Sequence, residues 1–259
     1  MSRIILNILL LTSFLLSANF DQVIEKTIDV SQFKKVEVFT TNGNVHIEGI
    51  EGNKLHLTAT KSIEGSENEK DRLLKSLKIV MDVHDGILTI KVERPAKKRT
   101  GFFSWLFDLG VGEYQVDFDL KLPTHLMVKA HSTNGKIKVH NFPSGLNLVT
   151  TNGEIKAIGV QQLQELHSTN GNVYVEFKAL PSMEQEVEIS TTNGEISVLV
   201  PKKSEFNLKA FTTNGQIDYA LNITGRRSKS KNHLEIINGE NLPTLFLKTT
   251  NGDISVFAR

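Results

Sequence analysis

The sequence predicts an all-β protein folded as a β-solenoid, in which repeated strand-turn-strand units stack as coils. Two observations predict this class: a tetrapeptide of the form Thr/Ser-Thr-Asn-Gly recurs along the chain, and apolar and polar residues alternate on both sides of it. The composition agrees, because 39% hydrophobic and 23% charged residues in a chain of 259 supply an ordinary globular balance and enough apolar side chains for a core.

Residues 1–18 are typical of a secretory signal peptide, and we expect one β-solenoid domain over residues 19–259. The segment has a positive charge at Arg3, an apolar run over residues 4–16 and small residues where a peptidase cuts. The run is shorter than the roughly 20 residues of a membrane-spanning helix. The mature chain is therefore expected to begin near Asn19, with an uncleaved membrane anchor as the alternative.

The charge balance and the absence of cysteine exclude several classes of function. The chain has 30 Lys and Arg against 29 Asp and Glu, which does not favour a nucleic-acid partner, because phosphate binding relies on a concentrated basic surface. With no cysteine there is no disulfide, thiolate nucleophile or cysteine metal site. Hydrogen-bond ladders and an apolar core must therefore hold the fold together.

The tetrapeptide occurs seven times. From the second copy onward the asparagines are 18, 18, 23, 21 and 37 residues apart, so one coil takes about 20 residues. The Asn-Gly pairs form the predicted structural ladder, which comprises Asn42, Gly43, Asn134, Gly135, Asn152, Gly153, Asn170, Gly171, Asn193, Gly194, Asn214, Gly215, Asn251 and Gly252.

The flanks of each copy predict strands buried on one face, as with Val36 and Val38 before the first turn and Val45 and Ile47 after it. Asn-Gly between such runs also suits a two-residue hairpin, which would give a meander, barrel or sandwich. Coils stacked about 4.8 Å apart would instead place identical Asn side chains above one another, with the small hydroxyl residue in the tight corner. The near-identity of the copies favours the solenoid, because identical side chains that stack from coil to coil can bond to one another.

The segment before the second copy is less regular, so we assign irregular first coils and a cap to residues 19–125 and regular coils to residues 126–259. Residues 66–69 have the capping-box form, and leucines follow at helical spacing, which predicts a short capping helix near residues 67–78. After it, two alternating runs flank residues 84–86 and predict a further strand-turn-strand unit.

The run of Thr/Ser-Thr-Asn-Gly-x-Ile/Val units behind a signal peptide resembles the bacterial β-strand-repeat proteins of the DUF4097 family and the related DUF2807-like adhesin group. The resemblance extends from Val36 to the C-terminus. It implies a right-handed, single-stranded β-helix outside the cytoplasm, with an adhesin label and no catalytic residues. An insert at residues 95–112 and a loop at residues 225–232 depart from the family pattern.

The insert contains an aromatic cluster behind three cations, and it includes the single Trp of the chain. Trp and Phe favour the lipid headgroup zone and cations suit anionic lipid, so membrane or partner contact is one interpretation. A seal folded against the solenoid and a disordered loop are the others. The candidate contact residues are Lys97, Lys98, Arg99, Phe102, Phe103, Trp105 and Phe107.

The loop at residues 225–232 carries four cations and no acidic residue. It is a candidate contact for an acidic polysaccharide or phospholipid headgroups, although a solvated hairpin tip explains the same composition. Two histidines, His131 and His167, share a repeat position two coils apart. They would lie about 9.6 Å from each other, which is too far for one zinc ion, so no metal site is expected.

Charged residues recur just after the turn, at Lys136, Glu154, Glu195 and Asp253. A β-helix enzyme acting on polysaccharides would place carboxylates together on one outer face, but a register that mixes charges this way is typical of a solvated edge. No catalytic residue is therefore predicted, and a polysaccharide-active enzyme stays an alternative.

These observations predict an exported, non-enzymatic binding, adhesion or scaffold module of the bacterial cell envelope, in the periplasm or at the cell surface, with no cofactor. Its partner would be an envelope protein, a polysaccharide or a membrane surface. A self-assembling structural solenoid is the further alternative, because Arg259 directly follows a predicted strand and would leave the last coil open.

Changing Phe102, Phe103, Trp105 and Phe107 to Ser is expected to abolish flotation with anionic liposomes if the insert contacts membranes, because the polar side chains no longer favour the lipid interface. Circular dichroism on both proteins provides the folding control. Loss of β-structure without any flotation of the parent would identify the insert as a packing element and contradict the membrane interpretation.

Overall fold

The computed structural model describes residues 22–64, 66–93, 114–181, 185–223 and 225–259. The predicted signal peptide and the aromatic insert, with its seven candidate contact residues, lie outside these ranges. Across the ranges just given, no helix has the length and hydropathy required to cross a membrane.

The described residues form 21 β-strands and one short α-helix, which confirms the prediction of an all-β protein. In chain order the elements are β1 (Gln22–Asp29), β2 (Lys35–Asn42), β3 (Val45–Ile50), β4 (Lys54–Ile63), α1 (Glu67–Ser76), β5 (Lys78–His84), β6 (Ile87–Glu93), β7 (Tyr114–Pro123), β8 (Met127–Asn134), β9 (Ile137–His140), β10 (Leu146–Asn152), β11 (Ile155–Val160), β12 (Leu163–Asn170), β13 (Val173–Phe177), β14 (Glu186–Asn193), β15 (Ile196–Val200), β16 (Asn207–Asn214), β17 (Ile217–Ala220), β18 (Arg226–Lys229), β19 (His233–Ile237), β20 (Thr244–Asn251) and β21 (Ile254–Ala258).

The strands of the described residues make two large, mostly parallel sheets. The ten-stranded sheet has the order β1-β4-β7-β3-β9-β11-β13-β15-β21-β17. The eleven-stranded sheet has the order β18-β19-β16-β20-β14-β12-β10-β8-β2-β6-β5. The inward side chains of both sheets form one apolar core, as expected where each strand alternates between a buried and a solvent-facing side.

Each Asn-Gly turn carries the chain from one sheet to the other. Strand β10 before a turn pairs in parallel with β8 and β12, whereas β11 after the turn pairs with β9 and β13. The two strands that flank a turn therefore belong to different sheets. The alternative in which Asn-Gly closes a hairpin is wrong for these copies, because a hairpin requires its two strands to pair with each other.

The order of the coils in space differs from their order in the sequence. Strand β20 lies between β14 and β16, and β21 lies between β15 and β17, so the last repeat inserts between the fifth and sixth. The expectation of an open final coil at Arg259 is wrong, because β21 has a paired strand on each side. The backbone N–H of Arg259 donates to the Val200 carbonyl, and its own carbonyl accepts from Lys202 N.

Antiparallel strands complete both ends of the eleven-stranded sheet. At one end β19 pairs with β16, and β18 pairs with β19. At the other end β5 pairs with β6 around Asp85 and Gly86, whose φ angles are 50° and 77°. Two consecutive residues with positive φ are typical of the tight hairpin turn, so the strand-turn-strand unit predicted around residues 84–86 is confirmed.

Helix α1 connects β4 to β5 and lies within the predicted range of residues 67–78. It packs Leu73 against the core, and Leu77 directly after it is also buried. The Lys61 ammonium donates to the Leu77 carbonyl and to Gln22 Oε1, both at 2.8 Å, while burial lowers the pKa of Lys61. The helix is thereby attached to β1 and β4, and its role as a cap stays a prediction.

Close contact between coils explains the glycine of the repeat. A Cβ placed on Gly171 would lie 2.0 Å from the Gly153 carbonyl oxygen, far inside van der Waals contact. The same collision occurs at 1.8 Å for Gly135 against Gly43 and at 2.2 Å for Gly194 against Gly171. The backbone of Gly171 does not have a positive φ. Glycine is required here because the neighbouring backbone is close, rather than for conformational freedom.

Changing Gly171 to Ala is expected to lower the free energy of unfolding by about 3 kcal/mol, because a methyl group forces adjacent coils apart. Urea unfolding followed by circular dichroism measures the loss. Gly145→Ala is the matched control, since the added Cβ would meet nothing closer than Met127 Cγ at 3.5 Å. Equal midpoints for the two variants would contradict the close-contact explanation.

Candidate functional site

One long edge of the protein holds the asparagines of the repeat in an unbroken row. In each step the side-chain Nδ2 donates to the Oδ1 of the preceding coil at 2.7–2.8 Å. The structure thus brings the predicted ladder residues together. In spatial order the row is Asn42, Asn134, Asn152, Asn170, Asn193, Asn251 and Asn214.

A second row, of inward hydroxyls, runs beneath the asparagines. Ser132 Oγ donates to the Gly43 carbonyl at 2.9 Å, and Ser168 Oγ donates to that of Gly153 at 2.8 Å. The equivalent hydroxyls that also donate to a glycine carbonyl are those of Thr150, Thr191, Thr212 and Thr249. These hydroxyls are buried, and a buried polar group without a partner is costly. The edge therefore satisfies its buried hydroxyl groups within the protein.

The position just after each glycine carries the charged residues considered for catalysis. The insertion of the last repeat next to the fifth places Glu195 beside Asp253, because the residues that follow them, Ile196 and Ile254, are partners in the sheet. Both side chains lie on the exposed edge, where the Asp253 carboxylate accepts from Gln216 N at 2.8 Å. These contacts are those of a solvated edge rather than of a water-excluding cleft.

The two predicted stacked histidines lie where the repeat places them, with Val149 between His131 and His167 in the sheet register. Burial and, to a smaller extent, the charge of Lys129 lower the pKa of His131. The His167 Nδ1 lies 2.9 Å from Ser190 Oγ. Over the described ranges, no three His, Asp or Glu side chains are grouped so that they could hold a metal ion.

Three rings cluster on the outer face of the eleven-stranded sheet near its β18 end, and we call Phe211, His233 and Phe246 the ring cluster. The rings of Phe211 and His233 stack with centroids 4.5 Å apart, and Phe246 is 5.7 Å from Phe211. They come from β16, β19 and β20, which are adjacent in space. The sequence analysis missed this cluster, although aromatic residues at outward positions of two repeat strands are its signal.

Half of the charged loop at residues 225–232 is a strand. We call Arg226, Arg227, Lys229 and Lys231 the cationic hairpin: the first three lie on β18, the edge strand, and Lys231 lies in the turn to β19. All four side chains are exposed. The interpretation of residues 225–232 as a hairpin tip holds for the turn, whereas β18 itself is paired with β19.

A tyrosine orders two of these cations. Arg227 lies 5.9 Å and Lys229 lies 5.0 Å from the centroid of the Tyr219 ring, on the last strand of the ten-stranded sheet. The Arg227 guanidinium also donates to the Ile223 carbonyl. Strand β18 therefore reaches across to the other sheet at this end of the core. Cation–π contacts of this kind hold a flexible side chain in place while leaving its charge available.

Replacing Asn170 with Ala is expected to cost about 1 kcal/mol of unfolding free energy, because two amide hydrogen bonds of the ladder are exchanged for bonds to water. Thermal unfolding followed by circular dichroism checks the value. Asn222→Ala is the control, since Asn222 is exposed and lies outside the ladder. An unchanged midpoint for Asn170→Ala would show that the exposed amide row contributes nothing to stability.

Comparison with known structures shows the same fold in a "putative cell adhesion protein" from Clostridium sporogenes, with a TM-score of 0.51, 16% identity, and coverage of 92% of this chain and 99% of that one. A "putative adhesin" from Bacteroides fragilis has a TM-score of 0.35 and 16% identity, covering 92% and 98% of the two chains. A "putative lipid binding protein" from Parabacteroides distasonis has a TM-score of 0.34 and 14% identity, with 90% and 96% covered.

No curated protein matches the sequence. The family model described as Toastrack DUF4097 matches residues 124–257. This range contains six of the seven Asn-Gly copies, the cationic hairpin and the ring cluster. The match spans more than half of the 259 residues, so the chain belongs to the DUF4097 family.

Proposed function

We propose that this protein is an exported, non-enzymatic binding or adhesion module of the bacterial cell envelope. The observation that carries the proposal is the continuous polar ladder, which makes two large sheets into one stiff body with long outer faces. Membership of the DUF4097 family supports it, as does the adhesion function named for the similar Clostridium sporogenes protein.

The winding of the chain supports a right-handed β-solenoid as the architecture of this module. Strands alternate between the sheets at every Asn-Gly turn, and equivalent residues lie above one another from coil to coil. We infer that residues 19–259 form one such domain and that α1 is its cap, since Leu73 and Leu77 cover apolar surface. Caps of this kind protect the terminal apolar face of a repeat stack.

A long, stiff face is suited to a partner that is itself extended. The eleven strands of one sheet extend over about 48 Å at the usual spacing between strands. The outward side chains vary from coil to coil, as Phe39, His131 and Val149 do at one position of the register. Identical backbones with different outward residues can supply many weak contacts, and such contacts add up when they are made together.

Location outside the cytoplasm follows from the predicted signal peptide and agrees with the adhesion names of similar proteins. We infer a position in the periplasm or at the cell surface. The insert with Phe102, Phe103, Trp105 and Phe107 is a second candidate contact, for a membrane or protein partner, and it rests on the sequence alone.

The alternative of end-to-end self-assembly has less support. A growing stack requires a flat strand edge with unpaired backbone groups at both ends. Here the eleven-stranded sheet ends in antiparallel strands, β5 and β18, and all four residues of β18 are exposed and polar. Charged edge strands of this type disfavour pairing with a second copy.

Alkaline phosphatase fused after Arg259 is expected to be active in a bacterial host only when residues 1–18 are present, because that enzyme matures outside the cytoplasm. The measurement is phosphatase activity per amount of fusion protein. A fusion lacking residues 1–18 is the matched control. Equal activity from both fusions, or none from either with normal protein levels, would contradict export through this segment.

A further inference from the structure

The last repeat of the sequence lies between two coils that the chain forms earlier. We call residues 244–258, which contain β20 and β21, the inserted coil. Strand β20 pairs in parallel with β14 on one side and β16 on the other, and β21 pairs in the same way with β15 and β17. The inserted coil therefore fills an acceptor slot, with β14 and β15 as one wall and β16 and β17 as the other.

The acceptor slot binds the inserted coil through the groups of the repeat. Asn251 Nδ2 donates to Asn193 Oδ1 at 2.7 Å, and Asn214 Nδ2 donates to Asn251 Oδ1 at 2.7 Å. Thr249 Oγ1 donates to the Gly194 carbonyl at 2.9 Å, as the equivalent hydroxyl does between coils that are consecutive in the chain. These contacts do not involve the connection to the rest of the chain, so residues 244–258 of a second copy can make all of them.

The inserted coil also completes the apolar core. Its inward side chains are fully buried, and they are Leu245, Leu247, Ile254 and Val256. An empty slot exposes apolar side chains and unpaired backbone groups on both of its walls. A chain that has released its own coil is therefore stabilised when it takes up the same coil from another copy.

A short connection joins β19 to the inserted coil. Residues 238–243 pass the start of β16, because β19 and β20 lie on opposite sides of that strand. There the Asn207 side chain accepts from the backbone N–H of Asn238 at 2.8 Å and donates to the Gly239 carbonyl at 3.0 Å. Asn241 has a φ of 57°, in the left-handed region that few residues other than glycine favour. The compact connection thus depends on one amide side chain and includes a left-handed residue.

The connection is long enough to reach a neighbouring molecule when it opens. Fully extended, residues 238–243 span about 20 Å, which is several times the spacing between adjacent strands. Extension releases the left-handed conformation of Asn241 and the contacts of the connection with Asn207. The contacts inside the slot are unaffected by it.

We propose that two copies of this chain exchange the inserted coil, so that residues 244–258 of each copy fill the acceptor slot of the other. The exchange preserves every contact within the slot and changes only the conformation of the connection. The resulting dimer is closed and symmetric, because each copy donates one coil and receives one. It does not use the edge strand β18, so the exposed polar residues that disfavour end-to-end assembly do not oppose it.

This inference goes beyond the proposed binding function and gives that function two linked copies of each outer face. Linked faces bind a repetitive partner more tightly than single faces, because the second contact forms within the complex. Insertion within one chain involves no loss of translational freedom, whereas exchange does. Monomers are therefore expected to predominate in dilute solution, and exchanged dimers to increase with protein concentration.

The test is cross-linking between two full-length proteins that each carry one thiol, since this sequence has no cysteine. Ser197 on β15 and Ser255 on β21 are register partners across the slot, and neither is fully buried. Ser197→Cys protein labelled with heavy nitrogen is mixed with unlabelled Ser255→Cys protein at high concentration in urea below the unfolding midpoint. After the urea is removed the mixture is oxidised, and mass spectrometry is expected to find a disulfide between position 197 of one chain and position 255 of the other.

The matched control is Lys138→Cys protein mixed with Lys156→Cys protein under the same conditions. These positions are register partners in the same sheet, but their coils are consecutive in the chain. The slot mixture is expected to give about tenfold more mixed disulfide than the control mixture, because only exchange holds thiols of different chains in register. Circular dichroism and thermal midpoints establish that every variant is folded.

Asn207→Ala tests the connection. Loss of this side chain destabilises the compact connection and leaves the slot intact. The association constant of the dimer, measured by sedimentation, is expected to rise about tenfold, since each dimer contains two such connections. Asn147→Ala is the control, because it removes a comparable amide hydrogen bond, to Glu165 at 3.0 Å, from a strand outside the slot. It is expected to leave the association constant unchanged.

Equal amounts of mixed disulfide in the two mixtures would overturn the proposal, because the chains would then meet by collision or general unfolding. Dimers that lack the disulfide between positions 197 and 255 would overturn it too, by assigning association to another surface. Monomers alone at every concentration would have the same consequence. None of these results affects the phosphatase test of export, so the proposed function and the exchange can fail separately.

Discussion

The contact between glycine backbones at the turn is the constraint on which the rest of the structure depends. Gly171 approaches the Gly153 carbonyl so closely that no side chain fits between them. This approach sets the separation of the coils, and that separation brings successive asparagine amides to 2.7–2.8 Å. It also brings the buried hydroxyl of one coil, as at Ser168, to the glycine carbonyl of the preceding coil. The close approach of adjacent coils therefore involves Thr/Ser, Asn and Gly at once, which explains why the three recur together.

Much of the fold could be predicted from the sequence because these requirements are local. Apolar residues such as Val173 and Val175 follow the turn at alternate positions and are buried in the structure. The order of the coils could not be predicted, since every coil presents the same ladder groups. Asn251 bonds to Asn193 and accepts from Asn214 with the geometry of any other rung. Local pattern determines how coils stack, whereas the connections between them determine which coils are neighbours.

The candidate site also has one part that the local sequence pattern indicated and another that depends on the order of the coils. The cations of residues 225–232 were visible as a charged segment, but a run of Arg, Ser and Lys has no apolar alternation that would predict a strand. Its pairing with β19 depends on inward residues of the partner strand, Leu234 and Ile236, which are buried. The ring cluster was harder to foresee, because Phe246 reaches Phe211 only when the last repeat inserts beside β16. A site built from several coils cannot be predicted from the sequence where the order of the coils in space differs from their order in the chain.

A uniform ladder provides stiffness but little specificity, because its amides bond to one another and its hydroxyls donate to glycine carbonyls. Specific recognition must therefore reside where coils differ, on the outward positions and at the ends. The β18 end combines both kinds of difference. Its edge strand carries exposed cations, and the outward residues Phe211 and Phe246 stand in registers where β14 has Ser190 and Glu188. Strands β18 and β19 contain none of the ladder asparagines, so their outward residues can vary without disturbing the ladder. Selection for a ligand can act on that end while the repeat maintains the fold.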